Sequence, residues 1–428
     1  MTMDRSARVE RALPVLFDQL AEARTPDYLE AAIERASSRP QRRAWTFPER
    51  WLPVELVNAR ATTARIPWRP LGVLALLAIL LAATLFAYAG SRQRLPEPFG
   101  PAANGQIVYS KGGDIFIRDS INGASRPLVA TSEEEASDSL SPLGTHVLAV
   151  TFKGEELYLA SVPIAGGDQV QLGGPFRNVA GISWSPDESS IAIAHEVDGR
   201  SSISILNADG SGARILDLGM PADTPLWRPP DGAQLSFRGE IDGNWALFLA
   251  NPDGSGVVQV PVTRDLMEAP YEVLNPAWSP DGGRIAFHRL VPTPGNGNGN
   301  GFRIHVAEID RQGGVAGQRT FEFDPSSDEE MSPQWLPDGK QLVFTRHDVD
   351  TDYLSIAEPI PGASAHDLGL TSDGFIGNLR IAPAPDGTFL MVHKLTDNTD
   401  WRVDVISGAV TPTDINGTDY VWIQRRAP

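Results

Sequence analysis

The pattern of apolar and polar positions divides the chain into three parts. Over residues 103–428, apolar runs of a few residues alternate with clusters of Pro, Gly, Asp, Asn and Ser, which predicts many short strands joined by tight turns. Residues 71–89, LGVLALLAILLAATLFAYA, form one unbroken apolar run without a charge. At 1.5 Å per residue a helix of that length covers about 28 Å, close to the hydrocarbon thickness of a bilayer. In residues 1–69, Val9, Leu13, Leu16, Phe17 and Leu20 recur at helical spacing. Thr25-Pro26-Asp27 then reads as a second helix start, followed by the apolar stripe Tyr28, Leu29, Ala32 and Ile33. The predicted organisation is a helical tail (1–69), a transmembrane helix (70–90), a linker (91–102) and a strand-rich domain (103–428).

The strand-rich part repeats one motif. LSPLGTHVLAV, WSPDESSIAIA, WRPPDGAQLSF, WSPDGGRIAF, WLPDGKQLVF and APAPDGTFLMV align on Pro142, Pro186, Pro230, Pro280, Pro337 and Pro385, with spacings of 44, 44, 50, 57 and 48 residues. Repeats of that length built from short strands predict an all-β propeller with one four-stranded blade per repeat. Within the motif, Pro presets φ, Asp suits the turn and Gly tolerates positive φ. The preceding Trp is placed to fill the gap between blades, and the following apolar run is fit for burial on both faces. ISILNADGSGARIL (203–216) and ALFLANPDGSGVVQV (246–260) read as outer hairpins. GQIVYS (105–110) lacks a tryptophan strand before it, and TDYVWIQRR (418–426) lacks anything after it. Joined, they make a composite blade that closes the ring. The count is then seven, with six as the alternative because Pro383 replaces the tryptophan in the last copy.

Charge sets the topology. The formal net charge is -18, yet residues 1–70 carry twelve arginines against nine acidic residues and come to +3. The remainder, at -21, repels phosphate backbones, so nucleic acid is not an expected partner. Arg42, Arg43, Arg50, Arg60, Arg65 and Arg69 precede the apolar run, which keeps the N-terminus cytoplasmic and places the propeller outside the cell membrane in a single pass. Ala87-Tyr88-Ala89 has the small-residue spacing of a cleavage site, but a signal peptide would begin near the N-terminus. Cysteine is absent, which excludes disulfides and thiolate sites.

No nucleophile elbow, phosphate loop or paired metal-ligand histidines occur, and the expectation is a non-enzymatic binding protein, with an envelope scaffold without signalling or a propeller-face hydrolase or lyase as the alternatives. His195, His288, His347 and His393 each follow a blade's apolar strand, with Arg238 at the comparable place in another; repeat symmetry puts them on one face of the ring as candidate ligand-binding groups. Asp348, Asp350 and Asp352 have the alternate spacing that can gather oxygens around calcium, although Tyr353 stands where such a loop needs Gly. No other cofactor is implied. The acidic runs Glu133–Glu135 and Asp328–Glu330 fall in equivalent inter-blade connections and make a negative rim for a protein, peptide or glycan ligand.

Over residues 103–424 the repeat resembles the TolB-like, WD40-like propeller repeat. The resemblance implies the propeller fold and partner binding, and no reaction. TPDYLEAAIERASSRPQRRAWTFPERWLP, from Thr25, resembles the stretch before the membrane helix of bacterial single-pass proteins associated with extracytoplasmic-function sigma factors. That resemblance implies an anti-sigma-factor-like tail with a sigma factor as partner, Leu13, Leu16, Phe17, Leu20, Tyr28, Leu29 and Ile33 being its candidate contact residues. The zinc-binding His/Cys cluster of the best-known anti-sigma class is missing from residues 1–70.

Overall fold

The computed structural model describes residues 102–425 except 132, 262–272, 293–299, 322, 324–328, 375, 376 and 416; all of them lie in the compact unit Gln93–Pro428. The tail residues, the Leu71–Ala89 run and the 91–101 linker lie outside the described residues. Among the described residues no helix is long and apolar enough to cross a membrane.

Seven four-stranded antiparallel sheets follow one another along the chain. We number them as blades 1 to 7 and letter their strands A to D from the centre outwards. Blade 2 is the first made of consecutive strands: A Glu134–Leu140, B His146–Lys153, C Glu156–Pro163, D Val170–Phe176. Blade 1 is composite. Its inner strand Thr418–Arg425 comes from the C-terminus and pairs antiparallel with Ala103–Lys111, with Val421 opposite Val108 and Trp422 opposite Ile107. The ring therefore has no open edge, and the count is seven. The copy without a tryptophan is a full blade, its inner strand ending at Pro383.

The core lies between blades. Leu148, Val150 and Leu159 of blade 2 pack with Trp184, Ile191 and Ile193 of blade 3. Ala286, Ile304 and Val306 of blade 5 pack with Trp335, Leu342 and Phe344 of blade 6. Because each B strand is covered on both sides, its apolar run has no polar alternation: Ile191, Ala192, Ile193 and Ala194 are all fully buried. The tryptophans bridge blades as expected. Trp335 donates its indole N–H to the Ala277 carbonyl of blade 5 (3.0 Å), and Trp278 donates to Ser236 Oγ of blade 4 (2.9 Å).

The A–B turns form the lower face. In blades 2 to 7 one bond closes each turn, from Ser141, Ser185, Arg228, Ser279, Leu336 and Ala384 N–H to the carbonyl that opens the B strand, at 2.8 to 2.9 Å. The glycine of the motif takes positive φ, +64° at Gly282 and +67° at Gly339. Glu188 occupies that place in blade 3 at φ 59°. Its carboxylate accepts from Thr145 Oγ1 (2.8 Å) in blade 2, so the departure from glycine ties two turns together. The DGSG segments at 209–212 and 253–256 are C–D hairpin turns on the same lower face, each closed by an Asn side chain donating to a Ser hydroxyl, Asn207 to Ser211 and Asn251 to Ser255.

Candidate binding face and central bore

Each B strand runs upwards from its lower turn, so the B–C hairpins and the crossings between blades form the upper face. His195, His347 and His393 stand near the upper ends of their B strands, whereas Arg238 and His288 lie at mid-strand. Their surroundings differ from blade to blade. In blade 6, His347 Nδ1 lies 2.7 Å from Asp352 Oδ1, its partner across the B–C hairpin, and Nε2 lies 3.1 Å from the Val349 carbonyl. The other oxygen of Asp352 accepts the Asn378 N–H (2.7 Å) at the entry to blade 7. Blade 7 repeats the device: His393 Nδ1 meets Asp400 Oδ1 at 2.7 Å, and Asp400 Oδ2 accepts the Gly417 N–H (2.8 Å) at the entry to blade 1. Both carboxylates are essentially fully buried. Each His–Asp pair is a latch that fixes where the next inner strand begins.

Blade 4 makes a different bond. Arg238 grips Asp223 of its own inner strand through two contacts of 2.7 and 2.6 Å, and its guanidinium lies over the Trp245 ring. His195 in blade 3 pairs with Ser204 Oγ at 2.8 Å against the edge of Phe176, and burial lowers its pKa. His288 in blade 5 accepts the Ser332 N–H on Nδ1 (3.1 Å), which requires that nitrogen to be unprotonated. Burial, helped by the charge of Arg238, pushes the His288 pKa down to about 3. His305, stacked on Phe287, is likewise pushed down to about 3 by burial and by Arg289. The five sequence-predicted groups thus lie on B strands at differing distances from the upper end, and each has its own protein partner.

Asp348, Asp350 and Asp352 do not converge. Asp352 faces inward to its latch, while Asp350 is exposed at the hairpin tip. Among the described residues no three His, Asp or Glu come together to hold a metal ion. Of the acidic runs, Glu133 and Glu134 are exposed on the upper face. Glu135 is buried and accepts from Thr131 Oγ1 (2.7 Å), Glu330 is fully buried opposite Arg346, and Asp328 lies outside the described residues.

Two groups of residues escaped the sequence reading. The first lines the bore. The inner strands of blades 4, 5 and 6 carry β-bulges, and Thr224, Asn275 and Ser332 there take left-handed φ of 49°, 48° and 53°. Such strain persists only where neighbours over-determine it. Thr224 N–H donates to the Ala180 carbonyl (3.0 Å), and Asn275 Nδ2 donates to Ser332 Oγ (3.0 Å), linking inner strands around the bore. The signal was present as Thr-Pro-Leu-Trp, Asn-Pro-Ala-Trp and Ser-Pro-Gln-Trp in three consecutive repeats. The second group is apolar. Phe152, Ile241, Val349 and Leu395, at the B–C tips of blades 2, 4, 6 and 7, are 42, 42, 75 and 44% exposed. Around them on the upper face stand exposed Glu134, Glu155, Asp198, Asp242, Asp350 and Asp397, against Lys153, Arg177, Arg200 and Lys394.

No protein family model matches the chain. Solved structures do resemble it. Hydrazine synthase from Kuenenia stuttgartiensis is 15% identical, with 76% of this chain and 97% of that chain covered at a TM-score of 0.51. The tricorn protease is 12% identical at a TM-score of 0.51, over 77% of this chain and 35% of that one, so the chain spans about a third of it. A putative TolB from Agrobacterium tumefaciens is 20% identical over 69% of this chain and 98% of that one, at a TM-score of 0.45. At these identities the likeness concerns the fold.

Proposed function

We propose that the protein is a single-pass membrane protein whose external propeller is a non-enzymatic binding module for a basic, apolar polypeptide. The observation that carries this reading is the upper face, where exposed apolar tips stand among carboxylates on a strongly acidic domain. Apolar tips supply contact area, and the acidic surround draws and orients a cationic partner. The histidines of the B strands are engaged with neighbouring protein groups, which favours scaffold over catalysis. The arginine-rich flank before Leu71 supports the cytoplasmic placement of the tail, and the tail's resemblance supports a sigma factor as its partner. A ligand outside then matters to the tail only if it favours one state of the membrane-anchored chain, by dimerisation or by exposing the anchor to proteolysis.

The test is a photo-crosslinking amino acid at position 349 on the upper face, or at position 406 on the lower face, where Ile406 is 89% exposed. In the native envelope, position 349 is expected to give a discrete polypeptide adduct and position 406 none. Adducts from 406 alone, or from neither, would overturn the reading. For the tail, residues 1–69 as bait are expected to recover a sigma factor, lost when Leu16, Phe17 and Leu20 are changed to Ser. Recovery equal to a scrambled tail would leave an envelope scaffold without signalling.

A further inference from the structure

Below the upper mouth, a cleft of about 440 Å³ opens into the bore between the inner strands of blades 5, 6 and 7 and Tyr420 of blade 1. Asn275, Ser332 and Gln334 give it neutral polar walls, and Ile381 and Ala382 give it an apolar floor. None of the lining residues is acidic, and one is cationic: Arg380. In a domain, residues 103–428, of net charge -22 that local reversal of sign calls for an explanation.

The register supplies it. Arg380 stands opposite His393, as Asp223 stands opposite Arg238 in blade 4. In blade 4 the two residues satisfy each other. In blade 7 the histidine is already held by Asp400, and among the described residues the exposed guanidinium of Arg380 meets only the neutral Gly377 carbonyl, 3.2 Å from Nη1. The inner strand here is also straight, without the bulge of blades 4, 5 and 6, so Arg380 enters the bore from a regular edge. A guanidinium with open N–H groups matches a carboxylate through two parallel bonds. One cation amid so much negative charge suits a monovalent anion and disfavours a phosphate dianion. The amides of Asn275 and Gln334 are suited to peptide groups beside that carboxylate, and the floor to a small apolar side chain.

We propose that Arg380 seats the C-terminal carboxylate of the polypeptide that docks on the upper face, its last residues entering the bore while its basic side chains meet the acidic rim. This rests on the binding-module reading above. The test uses the full chain in lipid nanodiscs and a pool of lysine-bearing hexapeptides, varied at their last two positions, each prepared as free acid and as amide. The best acids are expected to bind at least tenfold more tightly than their amides. Arg380→Met should erase that difference and Arg380→Lys should keep part of it. Equal binding of acids and amides would overturn the seat while leaving the docking face intact. Binding of galacturonate that is lost in Arg380→Met, with no peptide bound, would overturn the polypeptide assignment in favour of a small sugar acid. If no probe binds, the seat is overturned, and the docking face stands or falls with the adducts from position 349.

Discussion

The two ends of each B strand follow different rules. At the lower end, six blades close their turns with the same backbone bond, and a glycine or a single glutamate supplies the left-handed position. Further up the strands, residues that look alike in sequence do four different things. One histidine pairs with a serine, one accepts a backbone N–H, two latch onto aspartates, and an arginine grips its own inner strand. A turn must satisfy local backbone geometry, which is the same in every blade. An upper strand end must satisfy whatever the crossing to the next blade brings, and the crossings differ in length and composition. The lower face repeats one turn around the ring, and the upper side is where the blades diverge.

The sharpest way to break this contrast is at the lower face, with two glycines in the same motif position. A Cβ at Gly282 would lie 1.8 Å from the Pro229 carbonyl of blade 4, whereas at Gly339 the nearest atom is the Pro280 Cδ at 3.5 Å. Gly282→Ala should therefore cost roughly 3 to 5 kcal/mol, combining left-handed strain with a backbone collision, and Gly339→Ala only about 1 to 2 kcal/mol of strain. Urea unfolding of both variants checks the difference, and equal losses would mean the turns are not packed blade against blade. Next in size is the blade 6 latch. Asp352→Ala leaves His347 Nδ1 and the Asn378 N–H without their carboxylate, an expected loss of about 2 to 4 kcal/mol by the same measurement.

The upper end also carries a pH signature. His288 and His305 are held near a pKa of about 3 when folded, against about 6.5 in an unfolded chain. Above pH 6.5 both states hold neutral rings, and stability is at its full value. As pH falls from 6.5 towards 3, the unfolded chain takes up protons that the folded rings refuse, so stability is lost across that window. Each ring contributes a slope of about 1.4 kcal/mol per pH unit there. His305→Phe, which keeps a ring stacked on Phe287, should remove one such share between pH 6 and 4. An unchanged slope would show that the ring is protonated in the fold.

The same contrast explains what could be read beforehand. Ser-Pro-Asp-Gly states its own backbone geometry within four residues, and the tryptophan before it states what it fills. The blade count followed from those two facts and from the split between GQIVYS and TDYVWIQRR. The histidines name no partner within the motif. His347 finds Asp352 five residues on, and His393 finds Asp400 seven residues on, because their B–C turns differ in length. The alternate aspartates of HDVDTDY suggested a metal loop. On a tight hairpin, the same alternation sends Asp352 inward and leaves Asp350 at the exposed tip. Arg380 carried no signal at all, since its importance comes from the engagement of His393 elsewhere.

The smallest effect on stability should carry the largest information about function. Val349 and Ile406 are both strongly exposed apolar residues, on the upper and lower faces respectively. Changing either to Ser alters little buried surface, so each variant should unfold within about 0.5 kcal/mol of the parent. If the upper face takes the partner, Val349 is covered on binding, and its loss as an apolar contact is worth about 1.5 kcal/mol. That corresponds to about a tenfold weakening. Ile406→Ser should leave binding as it was. Measured with the partner recovered through position 349, equal affinities for both variants would remove the apolar tips from the interface and leave charge alone to explain recognition.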